Sequence, residues 1–363
     1  MSYILSAQNL FAFNLIEVNG VKFPNSVSEG VAPVHSRAMS PKNIGDLKGY
    51  NELLPFVTPS PDQEEAASCM LMSLTGAVEL WLHRIHKAPR FIQDGDLDLS
   101  ERWWMNVSNY TKYSKDIDYW YSDAALLFNS TPAALNRNYR FTKGWHIETE
   151  DDYIPTAPNA PKSVYTTRYN WIDDLSKVPG PFIKLPRIDR TILLRDKNDD
   201  PWAIGKAPAD IVEQVIAAFK KFRAPIQVIY NHEGYWHSVF IVGYDEEMPS
   251  YNCKSIRDSL AYYEAESNHA KSLGQAKRSR ILMSHRNDLA AAFQKNGGCR
   301  PKGMFYVRDS QFSDASEELY VYDPSNPASA KPYSKRIILR EFDWLKTMAN
   351  HVNVIHLESQ RSL

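Results

Sequence analysis

The order of helical and strand patterns along this 363-residue chain is the feature that most limits its fold. Apolar residues recur at helical spacing between residues 70 and 85, and again between residues 209 and 222. Short runs of β-branched and aromatic residues then follow, bounded by turn-forming residues. These runs cover residues 226–230, 236–244, 304–307, 319–322 and 336–339. A chain with helices first and strands later predicts an α+β protein with two lobes.

Breaks in this pattern divide the chain into predicted parts. Residues 1–50 are irregular and form an N-terminal extension, with one hairpin indicated at Asn19-Gly20. Residues 51–200 are predicted to form a mainly helical and loop-rich lobe, and residues 201–363 a β-rich lobe. A polar, charged and helical stretch, residues 249–303, interrupts the strands, so we expect it to be an insertion at the surface.

The charge balance argues against two classes of partner. Lys and Arg together number 42 and Asp and Glu 43, which gives a net charge of −1. The chain therefore has neither the basic footprint of a nucleic-acid-binding protein nor a polybasic membrane patch. It also lacks a run of the roughly 18 apolar residues that a membrane span requires. Residues 1–18 contain no Lys or Arg, so they lack the charged start of a signal peptide. Either the protein stays where it is made or a signal was removed.

The three cysteines, Cys69, Cys253 and Cys299, leave two arrangements open. One is a Cys253–Cys299 disulfide with a free Cys69, and the other is three unrelated thiols. Because Cys253 and Cys299 stand at the two ends of one polar helical segment, the sequence favours the disulfide. A disulfide indicates an oxidising compartment, so we expect a secreted or otherwise extracytoplasmic protein.

Cys69 lies between a proline-rich segment and an apolar helix, which places its sulfur at a helix N-terminus. The free N–H groups and the helix dipole at that position favour a thiolate. A thiolate nucleophile needs a proton partner, which is most often a histidine. A buried structural cysteine is the alternative, and it is the commoner situation for a lone cysteine.

His237 and Asp309 are the candidate partners of this thiol. His237 opens the apolar strand 236–244, which would hold an imidazole rigidly. Asp309 ends the strand 304–308, and a carboxylate at that point can orient a neighbouring imidazole. Asp323, in a turn that ends a later strand, is the rival for this role.

Together these residues resemble the papain family of cysteine peptidases. Residues 57–69, VTPSPDQEEAASC, are similar without a gap to that family's V-T-P-x-x-x-Q-G-x-C-G-S-C, with Gln63 at the position of its oxyanion glutamine. Residues 236–244, WHSVFIVGY, match D-H-A-V-x-x-V-G-Y and place His237 at the catalytic histidine. Residues 306–311, YVRDSQ, resemble I-x-K-N-S-W and place Asp309 at the third catalytic position.

The resemblance covers roughly residues 50–110 and 205–312, with several departures. Ala66 and Val107 stand where the family has the two cysteines of a disulfide, so both halves are absent together. The other departures are Glu64 and Ala67 in place of glycines, Met70 and Gln311 in place of tryptophans, and Asp309 in place of an asparagine.

The resemblance implies a papain-like two-lobe fold, with a helical left lobe, an antiparallel β-barrel-like right lobe and residues 249–303 as a helical insertion. It implies a thiol protease that hydrolyses protein or peptide substrates through Cys69, His237 and Asp309. Gln63 would complete the oxyanion hole, a thioester acyl-enzyme would form, and no cofactor or metal would be needed. The alternatives are a Cys-His-Asp acyltransferase or transglutaminase-like enzyme, and a catalytically weak binding protein that contacts another protein through residues 249–303.

Overall fold

The structure of the protein is a computed structural model, and it describes the chain in a series of segments. These are residues 15–18, 21–24, 27–28, 49–60, 69–88, 95–110, 128–129, 131–140, 177–196, 205–232, 235–250, 253–310, 320–323, 326–332 and 337–360. Gln63 and Gln311 lie outside the described residues.

The helices of these segments are labelled α1 to α6 in chain order. They are α1 (Cys69–Ile85), α2 (Glu101–Tyr110), α3 (Ile211–Phe222), α4 (Lys254–Ser272), α5 (Ala276–Lys295) and α6 (Phe342–Met348). The strands are β1 (Leu15–Val18), β2 (Val21–Pro24), β3 (Val27–Ser28), β4 (Ala133–Ala134), β5 (Phe182–Ile183), β6 (Ile188–Arg195), β7 (Ile226–His232), β8 (Tyr235–Pro249), β9 (Lys302–Arg308), β10 (Tyr320–Asp323), β11 (Asn326–Pro332), β12 (Ile337–Glu341) and β13 (Ala349–Leu357).

A six-stranded sheet in the order β12-β9-β8-β7-β13-β6 organises the second half of the chain. Each neighbouring pair in it is antiparallel. The positions of β7, β8, β9, β10 and β12 in the sequence overlap the five predicted strand runs. Since helices and antiparallel strands alternate in blocks along the chain, the predicted α+β class is confirmed.

The N-terminal residues contribute strands as well. The strands β1 and β2 form an antiparallel hairpin in which Val18 pairs with Val21, so the hairpin predicted at Asn19-Gly20 is present. The strand β3 pairs in parallel with β5, and β5 pairs with β4. A part of residues 1–50 is therefore joined to the rest of the fold.

Helix α1 is buried on every side from Cys69 to His83. It packs against β8 on one side and α2 on another. Gly76 permits the close approach to the sheet, because a Cβ at this position would overlap the guanidinium of Arg308 and lie 2.9 Å from Cε1 of Phe240. The helix that begins at Cys69 is thus fixed in place by the residues around it.

Residues 249–303 form a helical hairpin of α4 and α5 between β8 and β9. Cys253 and Cys299 are joined by a disulfide at its base, with their Cα atoms 5.8 Å apart, and Cys69 is in no disulfide. The hairpin leaves the sheet where Pro249 pairs with Lys302. This is the end of β8 opposite to His237, which lies near the start of that strand. Among the helices that the structure describes, none is long and apolar enough to cross a membrane.

We expect removal of this disulfide to loosen the hairpin and to leave Cys69 unchanged. Cross-linking residues 46 positions apart stabilises a fold by about 4 kcal/mol in the chain-entropy account. A Cys253→Ala/Cys299→Ala variant should therefore lose up to about 4 kcal/mol of unfolding free energy, measured by urea denaturation. Limited proteolysis should cut it faster within residues 253–300. Equal stability and equal proteolysis of the two proteins would contradict this expectation.

Candidate active site

Two neighbouring strands bring His237 and Asp309 together. In the pairing of β8 with β9, Phe240 lies opposite Arg308, so the residue after Arg308 reaches the start of β8. The Nε2 atom of His237 lies 2.7 Å from Oδ1 of Asp309, and both side chains are buried. Asp323, the rival carboxylate, ends β10 and pairs there with Asn326. Asp309 is therefore the carboxylate bound to the imidazole.

Cys69 completes the group from the start of α1. Its side chain is buried, and its thiol interacts with the His237 imidazole in a way that raises the pKa of the ring. Nε2 of His237 is bound to Asp309, so a contact with the thiol would fall to Nδ1, the other ring nitrogen. The structure thus brings together three of the four predicted site residues, and the fourth, Gln63, lies outside the described residues.

The electrostatics of this group favour a protonated imidazole. Burial by itself lowers the pKa of His237. Attraction to the Asp309 carboxylate, followed by the hydrogen bonds with Asp309 and Cys69, raises the pKa to about 10 overall. At neutral pH the ring therefore carries a proton. A positive imidazolium beside a thiol stabilises the thiolate, which is the nucleophilic form of a cysteine.

The buried side chain of Arg308 connects the helix that carries Cys69 with the strand that precedes Asp309. Its Nε donates to the carbonyl oxygen of Thr58 at 2.8 Å, and its Nη2 donates to that of Pro59 at 2.8 Å. Its Nη1 donates to the carbonyl of Met72, in the first turn of α1, at 3.1 Å. One guanidinium thereby joins residues 58–59, the helix of Cys69 and the strand that directly precedes Asp309.

Three buried carboxyl groups surround this arginine. Glu79 accepts hydrogen bonds from the hydroxyl of Thr58 and from the backbone N–H of Leu99. Burial, and then the neighbouring Glu101 and Asp98, raise the pKa of Glu79 well above its ordinary value. Burial and Asp98 raise the pKa of Glu101 to about 8. Burial lowers the pKa of the Arg308 guanidinium, and electrostatic interaction with these acids opposes that lowering.

A second buried polar group lies beneath the first turns of α1. The amide nitrogen of Gln227 donates to the hydroxyl of Ser73 at 3.1 Å, and the hydroxyls of Ser73 and Ser238 lie 2.8 Å apart. Asn353 donates to the amide oxygen of Gln227 at 3.4 Å. These bonds join α1, β7, β8 and β13. They fix the helix of Cys69 against the residue that follows His237.

Sequence reasoning did not identify Arg308, Glu79 or Gln227 as parts of the site. A usable signal existed for the first two, because charged residues are rarely fully buried without a partner. Glu79 interrupts an apolar helix, and Arg308 lies in an apolar strand. The sequence gives no comparable signal for Gln227.

Comparisons with known proteins leave the family open. No family model matches the chain, and no curated protein matches it. One solved structure that matches comes from work on the limited antibody cross-reactivity between the mite allergens Blo t 1 and Der p 1. The alignment covers 87% of this chain and 73% of that chain, with 12% sequence identity and a TM-score of 0.40. A likeness this weak carries no argument, so the function has to be inferred from the site.

We expect Gly76→Ala to lower both stability and the reactivity of Cys69. In an ordinary helix this change is stabilising by about 1 kcal/mol. Here the new methyl group overlaps the Arg308 guanidinium. Overpacking of a core costs about 1–3 kcal/mol, and the shifted arginine would release the first turn of α1. Thermal unfolding and the rate of Cys69 alkylation measure the two effects.

Gly297→Ala is the matched control for this variant. Gly297 has a φ of +85°, and a Cβ there meets nothing within 4 Å. The variant should lose only about 1–2 kcal/mol of unfolding free energy, the cost of a left-handed backbone for a residue with a Cβ. The reactivity of its Cys69 should be unchanged. A Gly76→Ala protein as stable and as reactive as the wild type would show that Arg308 does not clamp α1.

We expect Glu101→Gln to flatten the pH dependence of stability between pH 4.5 and 8. Glu101 has a folded-state pKa of about 8 against an ordinary value of 4.5. Its stabilising contribution is therefore complete below pH 4.5 and is lost as the pH rises towards 8. Glutamine resembles the protonated carboxyl and does not titrate. Urea unfolding at pH 5 and pH 8 measures the change, with the exposed Glu213→Gln as the control. The same pH dependence in Glu101→Gln and wild type would contradict the prediction.

Proposed function

We propose that this protein is a papain-like cysteine peptidase with Cys69 as its nucleophile. The observation that carries the proposal is the convergence of a buried thiol from α1, a buried imidazole from β8 and a buried carboxylate from the residue that follows β9. His237 would transfer protons, Asp309 would orient it, and Gln63 would help to bind the oxyanion. In the proposed two-lobe fold, α1 and α2 belong to one lobe and the six-stranded sheet to the other.

The first half of the reaction forms a thioester. The thiolate of Cys69 attacks the carbonyl carbon of a peptide bond, and the electron pair of the C=O bond moves to the oxygen. The side-chain amide of Gln63 and the backbone N–H of Cys69 would donate to this oxyanion. When the intermediate collapses, the C–N bond breaks. His237 gives its proton to the leaving amine, and the acyl group stays on sulfur.

The second half releases the acid and restores the site. His237, now neutral, accepts a proton from a water molecule that attacks the thioester carbonyl. The C–S bond breaks, the carboxylic acid leaves, and the thiolate and imidazolium form again. Asp309 supports both halves because its bond to Nε2 holds Nδ1 towards the sulfur. Its negative charge also stabilises the imidazolium.

The proposed compartment follows from the disulfide. Cys253 and Cys299 form a disulfide, and such bonds persist in oxidising compartments. A secreted or otherwise extracytoplasmic peptidase would meet protein and peptide substrates there. The helical hairpin of residues 249–303 lies at the end of β8 away from His237, so a protein bound to it would leave the site clear.

Acyl transfer to an amine is the second candidate reaction. The observation that favours it is a carboxylate, Asp309, in place of an amide beside His237, since acyltransferases and transglutaminases of the wider Cys-His-Asp group share that triad order. The thioester step would be the same, but an amine rather than water would accept the acyl group. The two reactions are therefore distinguished by their second products.

We expect rapid alkylation of Cys69 by iodoacetamide at pH 5.5, because an ordinary thiol with a pKa near 8.5 is almost fully protonated there. The other two cysteines form a disulfide, so the intact mass reports Cys69 directly. His237→Ala should slow the reaction strongly, and Asp309→Asn should slow it less. Iodoacetamide is small, which suits a buried thiol. Slow labelling that is indifferent to His237→Ala would contradict an activated ion pair.

We expect the protein to cleave an unstructured peptide mixture, with products identified by mass spectrometry. Cys69→Ala should abolish cleavage, and Gln63→Ala should lower kcat by roughly 10²–10³-fold, the usual effect of losing one oxyanion donor. Adding a primary amine distinguishes the two candidate reactions, because a transferase gives amine adducts in place of the free acid. Full activity of Cys69→Ala would contradict both.

A further inference from the structure

One aromatic side chain lies directly against the imidazole of His237. In the pairing of β7 with β8, Tyr230 is the residue opposite His237. Residues opposite each other in an antiparallel pair project to the same face of the sheet. The two ring centroids lie 5.6 Å apart with an interplanar angle of 72°. Both side chains are fully buried, so this contact excludes water.

The tyrosine is in turn held from behind by helix α6. The rings of Tyr230 and Trp344 lie 5.0 Å apart at an interplanar angle of 79°. Trp344 is also buried, and α6 packs against β9 and β13. Tyr230 is therefore fixed between an indole and an imidazole. We refer to Tyr230 and Trp344 as the aromatic stack.

The position of this stack bears on the geometry of the proposed site. His237 has to direct Nε2 to Asp309 and Nδ1 to Cys69 at once, and it can do so only with its ring plane in one orientation. A perpendicular ring contact stabilises one plane over others, because aromatic pairs prefer edge-to-face geometry. Excluding water also strengthens the attraction between imidazolium and carboxylate.

We propose that Tyr230, supported by Trp344, is a positioning residue of the site: it fixes the plane of the His237 ring so that Asp309 and Cys69 are engaged together. The inference rests on the proposed function, because it concerns the same thiolate–imidazolium pair. Tyr230 itself contacts no reacting atom in this scheme. Its effect reaches Cys69 only through His237.

The test is the pH profile of Cys69 alkylation by iodoacetamide, from pH 5 to pH 9, in wild type, Tyr230→Phe and Tyr230→Leu. Tyr230→Phe keeps the ring and should keep the reactivity of the wild type at acid pH. In Tyr230→Leu the rate of Cys69 alkylation at pH 5.5 should fall about three- to tenfold, the range expected for the loss of one aromatic pair. An ordinary thiol is largely ionised at pH 9, so the two variants should react alike there. A merely structural defect would not confine its effect to the acid side.

Two further variants keep the test decisive. Tyr263→Leu removes a buried tyrosine from the helical hairpin, and it should lower stability without changing the acid-side rate. Trp344→Leu removes the support behind Tyr230 and should give a smaller acid-side loss than Tyr230→Leu. If Tyr230→Leu does not fold, Trp344→Leu decides the question, and an unchanged acid-side rate in it overturns the proposal.

The failure of this inference is distinguishable from failure of the proposed function. If wild-type Cys69 shows no acid-side reactivity, the ion pair is absent and both proposals fall. If the wild type is reactive at pH 5.5 and the folded Tyr230→Leu protein is equally reactive, the role of Tyr230 is wrong. The proposed peptidase site would then stand without it.

Discussion

The buried guanidinium of Arg308 is the contact on which the rest of the site depends. Transferring an unpaired charge into the interior costs several kcal/mol, so such a group persists only with good partners. Arg308 has three backbone carbonyls and a set of buried acids around it. Through these bonds it joins α1 to β9, and Asp309 directly follows the end of that strand. The distance between Cys69 and the carboxylate that orients its histidine is thus set largely by one side chain.

The protonation states of the buried groups favour mildly acidic conditions. His237 has a raised pKa, so its contribution to stability is complete below about pH 6.5 and is lost as the pH approaches 10. The pKa of the Glu101 carboxyl is also raised, so its contribution to stability is likewise lost as the pH rises, over a lower pH range. Both shifts act in the same direction. The fold and the proposed ion pair are therefore supported best at a pH where an ordinary thiol is inert.

Local sequence patterns predicted those strands whose buried residues are apolar. The strands β7, β8 and β9 were predicted because their apolar runs are short and bounded by turn residues. The strand β13 was not, because Asn350, His351, Asn353 and His356 interrupt it, although all four side chains are buried. These polar side chains are tolerated where a neighbouring strand, distant in sequence, supplies a hydrogen-bond partner, as Gln227 does for Asn353 and Thr191 does for His356. The contact between Arg308 and Thr58 likewise joins residues 250 positions apart, and no local pattern reveals it.

The long strand β8 separates the proposed chemistry from the helical hairpin. His237 lies near one end of this 15-residue strand, and the hairpin leaves from the other. Between them Gly243 admits the backbone of Tyr50, where a Cβ would overlap the Tyr50 carbonyl oxygen, and Tyr50 bridges to Tyr244. The middle of β8 is thus fixed by packing, and the base of the hairpin by its own disulfide. Because the middle of β8 and the base of the hairpin are held by different contacts, we expect a change in the hairpin to have little effect on the imidazole. Contact with another protein at the hairpin and catalysis at Cys69 would then be separable properties of one fold.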